Sequence, residues 1–205
     1  MAGAFITVEG GEGSGKSTQS ELLARSLTAS GRHVLRLREP GGTDLGESLR
    51  ELLLHRRADM SSEAELLLFL AARAELVRSV IRPALDDGTI VICDRFADST
   101  FAYQGYGRGL DLERLRQLND WATGGLVPDL TVLLDLPVVA GLQRKHTETD
   151  VFQLEDVEFH QRVRQGYLAL ARSEPSRWLV TDGTTSIEIL AARIDVAVRT
   201  LISSD

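Results

Sequence analysis

The sequence predicts an α/β protein, a parallel sheet with helices packed on both faces. Three observations carry this expectation. Short apolar, β-branched runs alternate with longer stretches of helical periodicity, as strand–helix–strand units require. Runs such as Val132-Leu-Leu-Asp135 are apolar at consecutive positions, so both faces of the strand must be covered. Helix punctuation agrees: Pro83 and Gly88 bracket the end of one helix, and Pro137 opens another.

Taken in order, strands are expected at 5–9, 33–38, 89–94, 130–136 and 178–182. Helices are expected near 16–30, 44–56, 62–86, 111–122, 138–146, 154–173 and 185–202. Four segments, 10–15, 39–43, 98–110 and 147–154, have no regular pattern and are expected as loops. In open α/β sheets the loops at the carboxyl ends of strands carry the ligands.

With 205 residues, 43% of them hydrophobic, the chain is one domain's worth and can bury a core without disulfides or a structural metal. Lys and Arg number 23 against 30 Asp and Glu, a net charge of −7. That balance excludes a broad nucleic-acid face, so any bound anion needs a local cluster of donors. The single cysteine, Cys93, lies in an apolar run and reads as a small core residue of a cytosolic protein. Trp121 and Trp178 also read as core. The opening Met1-Ala-Gly-Ala-Phe5 has no signal-peptide character, and no apolar run approaches the ~20 residues of a membrane span. A soluble, cytoplasmic protein with no membrane partner is expected.

Gly10-Gly11-Glu12-Gly13-Ser14-Gly15-Lys16-Ser17 matches G-x-x-x-x-G-K-[ST], followed by Thr18, and it sits between an expected strand and an expected helix. Glycines let several backbone N–H groups turn toward one anion, and the helix N-terminus adds a favourable dipole. Lys16 is placed to reach the β- and γ-phosphates of a nucleoside triphosphate, and the Ser17 hydroxyl to take a Mg²⁺ position. Asp94 ends the third strand and can hold the Mg²⁺ or its water. Arg95 follows, suited to a phosphate by its bidentate fork, or else to a surface salt bridge.

Arg38-Glu39-Pro40-Gly41-Gly42-Thr43 makes a tight loop that holds Arg38 and Glu39 at the cleft mouth, or serves as an ordinary strand–helix turn. Phe69 and Arg73 are four apart on an apolar helix and share a face. A ring one turn from a buried arginine would seat a planar base; the alternative is an Arg73 that snorkels to solvent.

Together Gly10 to Ser17, Arg38 to Thr43, Phe69 with Arg73, Asp94-Arg95-Phe96 and Ala102-Tyr-Gln-Gly-Tyr-Gly-Arg108 closely resemble the bacterial thymidylate kinases, in order and with similar gaps. The resemblance implies the P-loop NTPase fold, with a five-stranded parallel sheet in the order 2-3-1-4-5. It also implies a single nucleoside monophosphate kinase domain over 1–205 with a lid at about 143–156, usually as a homodimer. It places Glu12 near the metal and the acceptor phosphate, and Arg50 and Arg95 on the monophosphate. Phe69 would stack on thymine, Arg73 would donate to its carbonyl, and Thr100 and Gln104 would make further base contacts. Tyr103 would lie under the deoxyribose, Glu39 would join the acceptor site, and Arg144 would pack on adenine.

The implied reaction is Mg²⁺-dependent transfer from ATP to dTMP, giving dTDP and ADP. The alternatives are a kinase for another deoxynucleotide or nucleoside, or a nucleotide-binding regulator without turnover. One departure stands out. Residues 147–158 contain five acids and no base where bacterial relatives carry lid arginines, with Val151 after Asp150. An acidic lid of this kind predicts slower turnover.

Overall fold

The computed structural model describes residues 3–55, 60–144, 152 and 155–203. Five strands form one parallel sheet: β1 (Phe5–Glu9), β2 (Val34–Arg38), β3 (Ile90–Asp94), β4 (Leu130–Asp135) and β5 (Trp178–Asp182), in the spatial order β2-β3-β1-β4-β5. The chain order between them is α1 (Lys16–Ala29), α2 (Asp44–His55), α3 (Ser62–Leu76), α4 (Arg82–Asp86), α5 (Ala97–Thr100), α6 (Leu112–Thr123), α7 (Val138–Arg144), α8 (Val157–Ser173) and, after β5, α9 (Ile187–Ser203). The expected fold class and strand order are the observed ones.

β1 lies at the centre, with Val8 beside Asp94 of β3 and Val132 of β4. Alternating side chains feed two cores, as a strand's period of two dictates. Ile6 and Val8 pack with Leu23 and Leu27 of α1 and Ile194 and Val198 of α9. Phe5 faces the other way, toward Leu76, Val77, Ile81, Cys93 and Phe96. Cys93 and Trp178 are buried as expected.

Local chemistry sets the helix starts. Ser61 accepts from Ala64 N ahead of α3, Asp111 from Arg114 N ahead of α6, and Asp156 from Phe159 N ahead of α8. Among the described residues no helix is long and apolar enough to cross a membrane.

The structure departs from the sequence expectations in three places. The expected loop at 98–110 is largely helical, with α5 running into a π-helical stretch, Phe101–Gly107. Its glycines, which argue against a helix by propensity, answer to packing: a Cβ on Gly107 would fall 2.7 Å from the Phe159 ring. The expected helix over 62–86 contains a π-turn, Val77–Ile81. Trp121 is not core; it is 83% exposed on α6. The lid expectation falls mostly on 145–151, 153 and 154, which lie outside the described residues.

Candidate active site

The loop after β1 wraps around the start of α1, with Gly15 at a φ of 92° just before Lys16. It also packs backbone to backbone on α7. A Cβ on Gly13 would lie 2.1 Å from the Gly141 carbonyl oxygen, so no side chain fits there. Lys16 Nζ donates to the carbonyls of Gly10 (3.1 Å) and Gly11 (2.8 Å), which hold the ammonium inside the loop. Burial, helped by the charge of Arg95, pushes the Lys16 ammonium down to about 8.

Parallel pairing of β1 and β3 brings Asp94 to the same sheet edge. Ser17 Oγ donates to Asp94 Oδ2 at 2.6 Å. These are hard oxygen donors next to the phosphate loop, the set a Mg²⁺ ion takes when waters and phosphates complete its shell.

Arg95 has a φ of 70°, the left-handed region, unusual for a residue with a Cβ. That turn aims its guanidinium across the loop. Nη2 donates to Glu12 Oε1 (2.9 Å) and the Tyr103 hydroxyl (3.0 Å), and Nη1 to Gly10 O (3.1 Å) and the Tyr167 hydroxyl (3.2 Å). Tyr103 in turn donates to Glu12 Oε1 at 3.0 Å, and the guanidinium lies 4.9 Å from the Tyr103 ring centre.

A buried carboxylate stands behind this cluster. Glu9, fully buried at the end of β1, accepts from Phe96 N (2.7 Å), Ser99 Oγ (2.7 Å) and the Tyr167 hydroxyl (2.9 Å). With their hydrogens on Glu9, both hydroxyls present oxygen to Arg95. Burial, reinforced by Asp98, pushes the Glu9 carboxyl up to about 7.

Of the two expectations for Arg73, burial is the one observed, and the residue lines the cleft. It is 2% exposed, so it does not snorkel, and its five N–H groups are all donated within the protein. Nε and Nη2 reach Glu39 Oε2, Nη1 reaches Thr100 Oγ1 and Asn119 Oδ1, and Nη2 also reaches Phe96 O. Each of its N–H groups thus has an acceptor within the protein. Glu39 is buried with it, in a loop whose Glu39–Pro40 peptide is cis. Burial raises the Glu39 carboxyl and the Arg73 charge opposes that rise.

The remaining side of the cleft is aromatic. Phe69 lies 6.0 Å from Phe152, ring centre to ring centre, and Phe152 makes an edge contact with Tyr103 at 5.5 Å. Gln104 Nε2 donates to Glu65 Oε1 at 2.9 Å. Arg108 bridges Glu65 (3.1 Å) to Glu155 (2.6 Å). Of the acids expected to oppose phosphate approach in the lid, Glu155 is therefore neutralised by Arg108, and Asp156 caps α8. Arg50 donates to Pro40 O (2.8 Å) and Arg144 to Gly183 O (3.1 Å).

One cleft of about 390 Å³ runs from the phosphate loop past Arg95 and Arg73 to Phe69 and Phe152, with Glu9, Glu65, Arg108, Asn119 and Tyr167 outside its lining. Every site residue expected from the sequence lines it except Gly10 and Gly11, whose carbonyls hold Lys16. Sequence reasoning missed Glu9, Glu65, Ser99, Asn119, Phe152 and Tyr167. Only Phe152 carried a local signal, the one aromatic in a segment rich in acids.

A family model described as thymidylate kinase matches residues 8–194. The chain belongs to the thymidylate kinase family. It is 49% identical to a thymidylate kinase of Clavibacter sepedonicus, over 100% of this chain and 98% of that one. It is 56% identical to a Synechococcus thymidylate kinase, over 93% and 91%. The crystal structure of thymidylate kinase from Ehrlichia chaffeensis superposes with a TM-score of 0.82 at 39% identity, covering 97% of this chain and 99% of that one. The family's name thus attaches to a cleft with a triphosphate loop at one end and an aromatic seat at the other.

Proposed function

We propose that the chain, acting as one nucleoside monophosphate kinase domain, transfers the γ-phosphoryl group of ATP to dTMP, giving dTDP and ADP. The observation that supports this reading is that two cationic groups suited to phosphate, Lys16 and Arg95, line one cleft together with Phe69 and Tyr103.

In this reading Gly10 to Thr18 bind the triphosphate and Arg144 flanks the adenine. Arg95 and Arg50 hold the acceptor phosphate, Tyr103 lies against the deoxyribose, and Phe69 stacks on the base. An acceptor phosphate oxygen attacks the γ-phosphorus as the bond to the β-bridging oxygen breaks, with the electron pair leaving on ADP. The acceptor is already an anion, so no general base is needed. Lys16 neutralises charge on the transferring group, and Arg95 holds the attacking phosphate in line. Glu12 holds Arg95 until the phosphate arrives. Ser17 and Asp94 suit a Mg²⁺ ion, which when bound supplies charge neutralisation on the phosphates. Arg73 keeps Glu39, Thr100 and Asn119 in place beside the base.

A homodimer fits the surface. Trp121 on α6 and Leu67 on α3, two helices that pack on each other, are 83% and 57% exposed. Exposed large apolar side chains on adjacent helices are the material of a subunit interface.

The test is ADP release with Mg·ATP against a panel of nucleosides and nucleoside monophosphates. Turnover with dTMP above all others is expected. Release with a nucleoside but no monophosphate, or with none of them, would reject the reading.

A further inference from the structure

The two ends of the Arg95 guanidinium sit in different surroundings. Nη2 meets cleft-lining groups, Glu12 Oε1 at 2.9 Å and the Tyr103 hydroxyl at 3.0 Å. Nη1 meets the scaffold: Gly10 O (3.1 Å), the Tyr167 hydroxyl (3.2 Å) and, more weakly, Ser99 Oγ (3.4 Å). A guanidinium can only donate, so the Tyr167 oxygen accepts from Nη1 and its own hydrogen must go elsewhere. Its partners are Glu9 Oε2 at 2.9 Å and Ser99 Oγ at 2.8 Å, and Ser99 reaches the same Glu9 oxygen at 2.7 Å. Every such arrangement ends on the Glu9 carboxylate. The other Glu9 oxygen takes the Phe96 N–H at 2.7 Å, so the carboxylate is held in place.

We infer that Tyr167, held by Glu9, is a positioning residue for phosphoryl transfer, fixing the Nη1 end of Arg95 while the Nη2 end exchanges Glu12 for the acceptor phosphate. This rests on the reading of Arg95 as the arginine of the acceptor phosphate. Tyr167 and Glu9 lie outside the cleft lining, so both act through Arg95. The guanidinium is a rigid plane, and fixing one end sets the plane in which the other meets an oxygen. In-line transfer tolerates little error, since a misplacement of about 1 Å can cost on the order of a hundredfold in rate. Held by Nη2 alone, Arg95 still binds the phosphate but lets it rock out of line.

Tyr167→Phe removes the hydroxyl and keeps the ring, which packs in the core 6.3 Å from the Tyr103 ring centre. The kcat at saturating Mg·ATP and dTMP is expected to fall about tenfold. The dissociation constant of dTMP and the KM for ATP should stay within about twofold, a split that a role in folding alone would not produce. Glu9→Gln should lower kcat in the same way. The Phe96 N–H keeps the amide oxygen on its side, so an NH₂ replaces the acceptor at the Oε2 place. Arg95→Lys has no fork to hold, and adding Tyr167→Phe to it should change kcat by less than about twofold.

A folded Tyr167→Phe with the kcat of the wild type overturns the inference. So does a loss carried by dTMP affinity, or a further tenfold fall on the Arg95→Lys background. Glu9→Gln with an unchanged kcat overturns the part given to Glu9. A wild type without dTMP turnover overturns the proposed function itself.

Discussion

Glu12 and Arg95, 83 residues apart in sequence, meet as an ion pair of 2.9 Å in the middle of the cleft. The same carboxylate oxygen accepts from Tyr103, so the guanidinium is oriented and its charge balanced before any phosphate enters. A lysine at 95 would keep the charge but lose the planar fork that reaches Glu12 and Tyr103 on one side and Gly10 and Tyr167 on the other.

Arg95→Lys is therefore expected to lower kcat/KM for dTMP roughly ten- to a hundredfold, the loss of one charge-assisted bond at about 1.5–3 kcal/mol. The KM for ATP should change little. Steady-state kinetics with each substrate varied in turn checks this, and an equal effect on both substrates would count against the assignment.

Lys16 yields a pH signature. Its ammonium loses its proton near pH 8 in the free protein, because burial and the Arg95 charge both disfavour the cation. A bound triphosphate brings negative charge and favours the proton again. So kcat/KM for ATP, which reports the free enzyme, should decline as pH rises through about 8. The kcat should hold to higher pH. A kcat/KM profile flat to alkaline pH would reject the shift.

The sheet and the phosphate loop were legible because each is a local pattern: apolar runs with turn residues between them, and a loop of fixed spacing. The site's supports were not. Glu9 reaches Tyr167 across 158 residues and Arg73 reaches Asn119 across 46, and such bonds leave no spacing in the chain. The π-helical stretch over Phe101–Gly107 was hidden by its glycines, which serve close packing against Phe159 and Leu112 and not a turn. Trp121 was misread because an aromatic in a helix looks the same in sequence whether it faces the core or solvent.

Removing Arg73 should cost stability before it costs selectivity. Arg73→Ala strands the buried Glu39 carboxylate and leaves Asn119 Oδ1 without its donor. A loss of about 3–5 kcal/mol is expected, seen as a drop in Tm on the order of 10 °C. A variant within a degree or two of the wild type in thermal denaturation would show that the cluster is not under this tension.

The left-handed backbone at Arg95 predicts a ranking of inactive variants. Glycine adopts that conformation freely, whereas any side chain pays about 1–2 kcal/mol. Arg95→Gly and Arg95→Ala should both lose dTMP turnover, with the glycine variant the more stable of the two by roughly that amount. Chemical denaturation of the pair measures the difference directly.

Trp121→Glu should separate a dimer without touching the cleft. Sedimentation is expected to show the wild type as a dimer and the variant as a monomer at micromolar concentration. A wild type that sediments as a monomer rejects the assignment of this face.

The central position of β1 also bears on how the chain acquires its shape during synthesis. The strand that carries the phosphate loop leaves the ribosome before both of its neighbours, Val91 to Asp94 and Leu130 to Leu133. Until those segments emerge, Phe5 to Glu9 is an unpaired apolar stretch with both edges open, the kind of segment prone to mispairing. Nascent chains stalled before Leu133 should accordingly be protease-sensitive at the phosphate loop and bind trigger-type holdases. Chains long enough to expose β4 should be protected, so that ATP binding is gained late and in a single step.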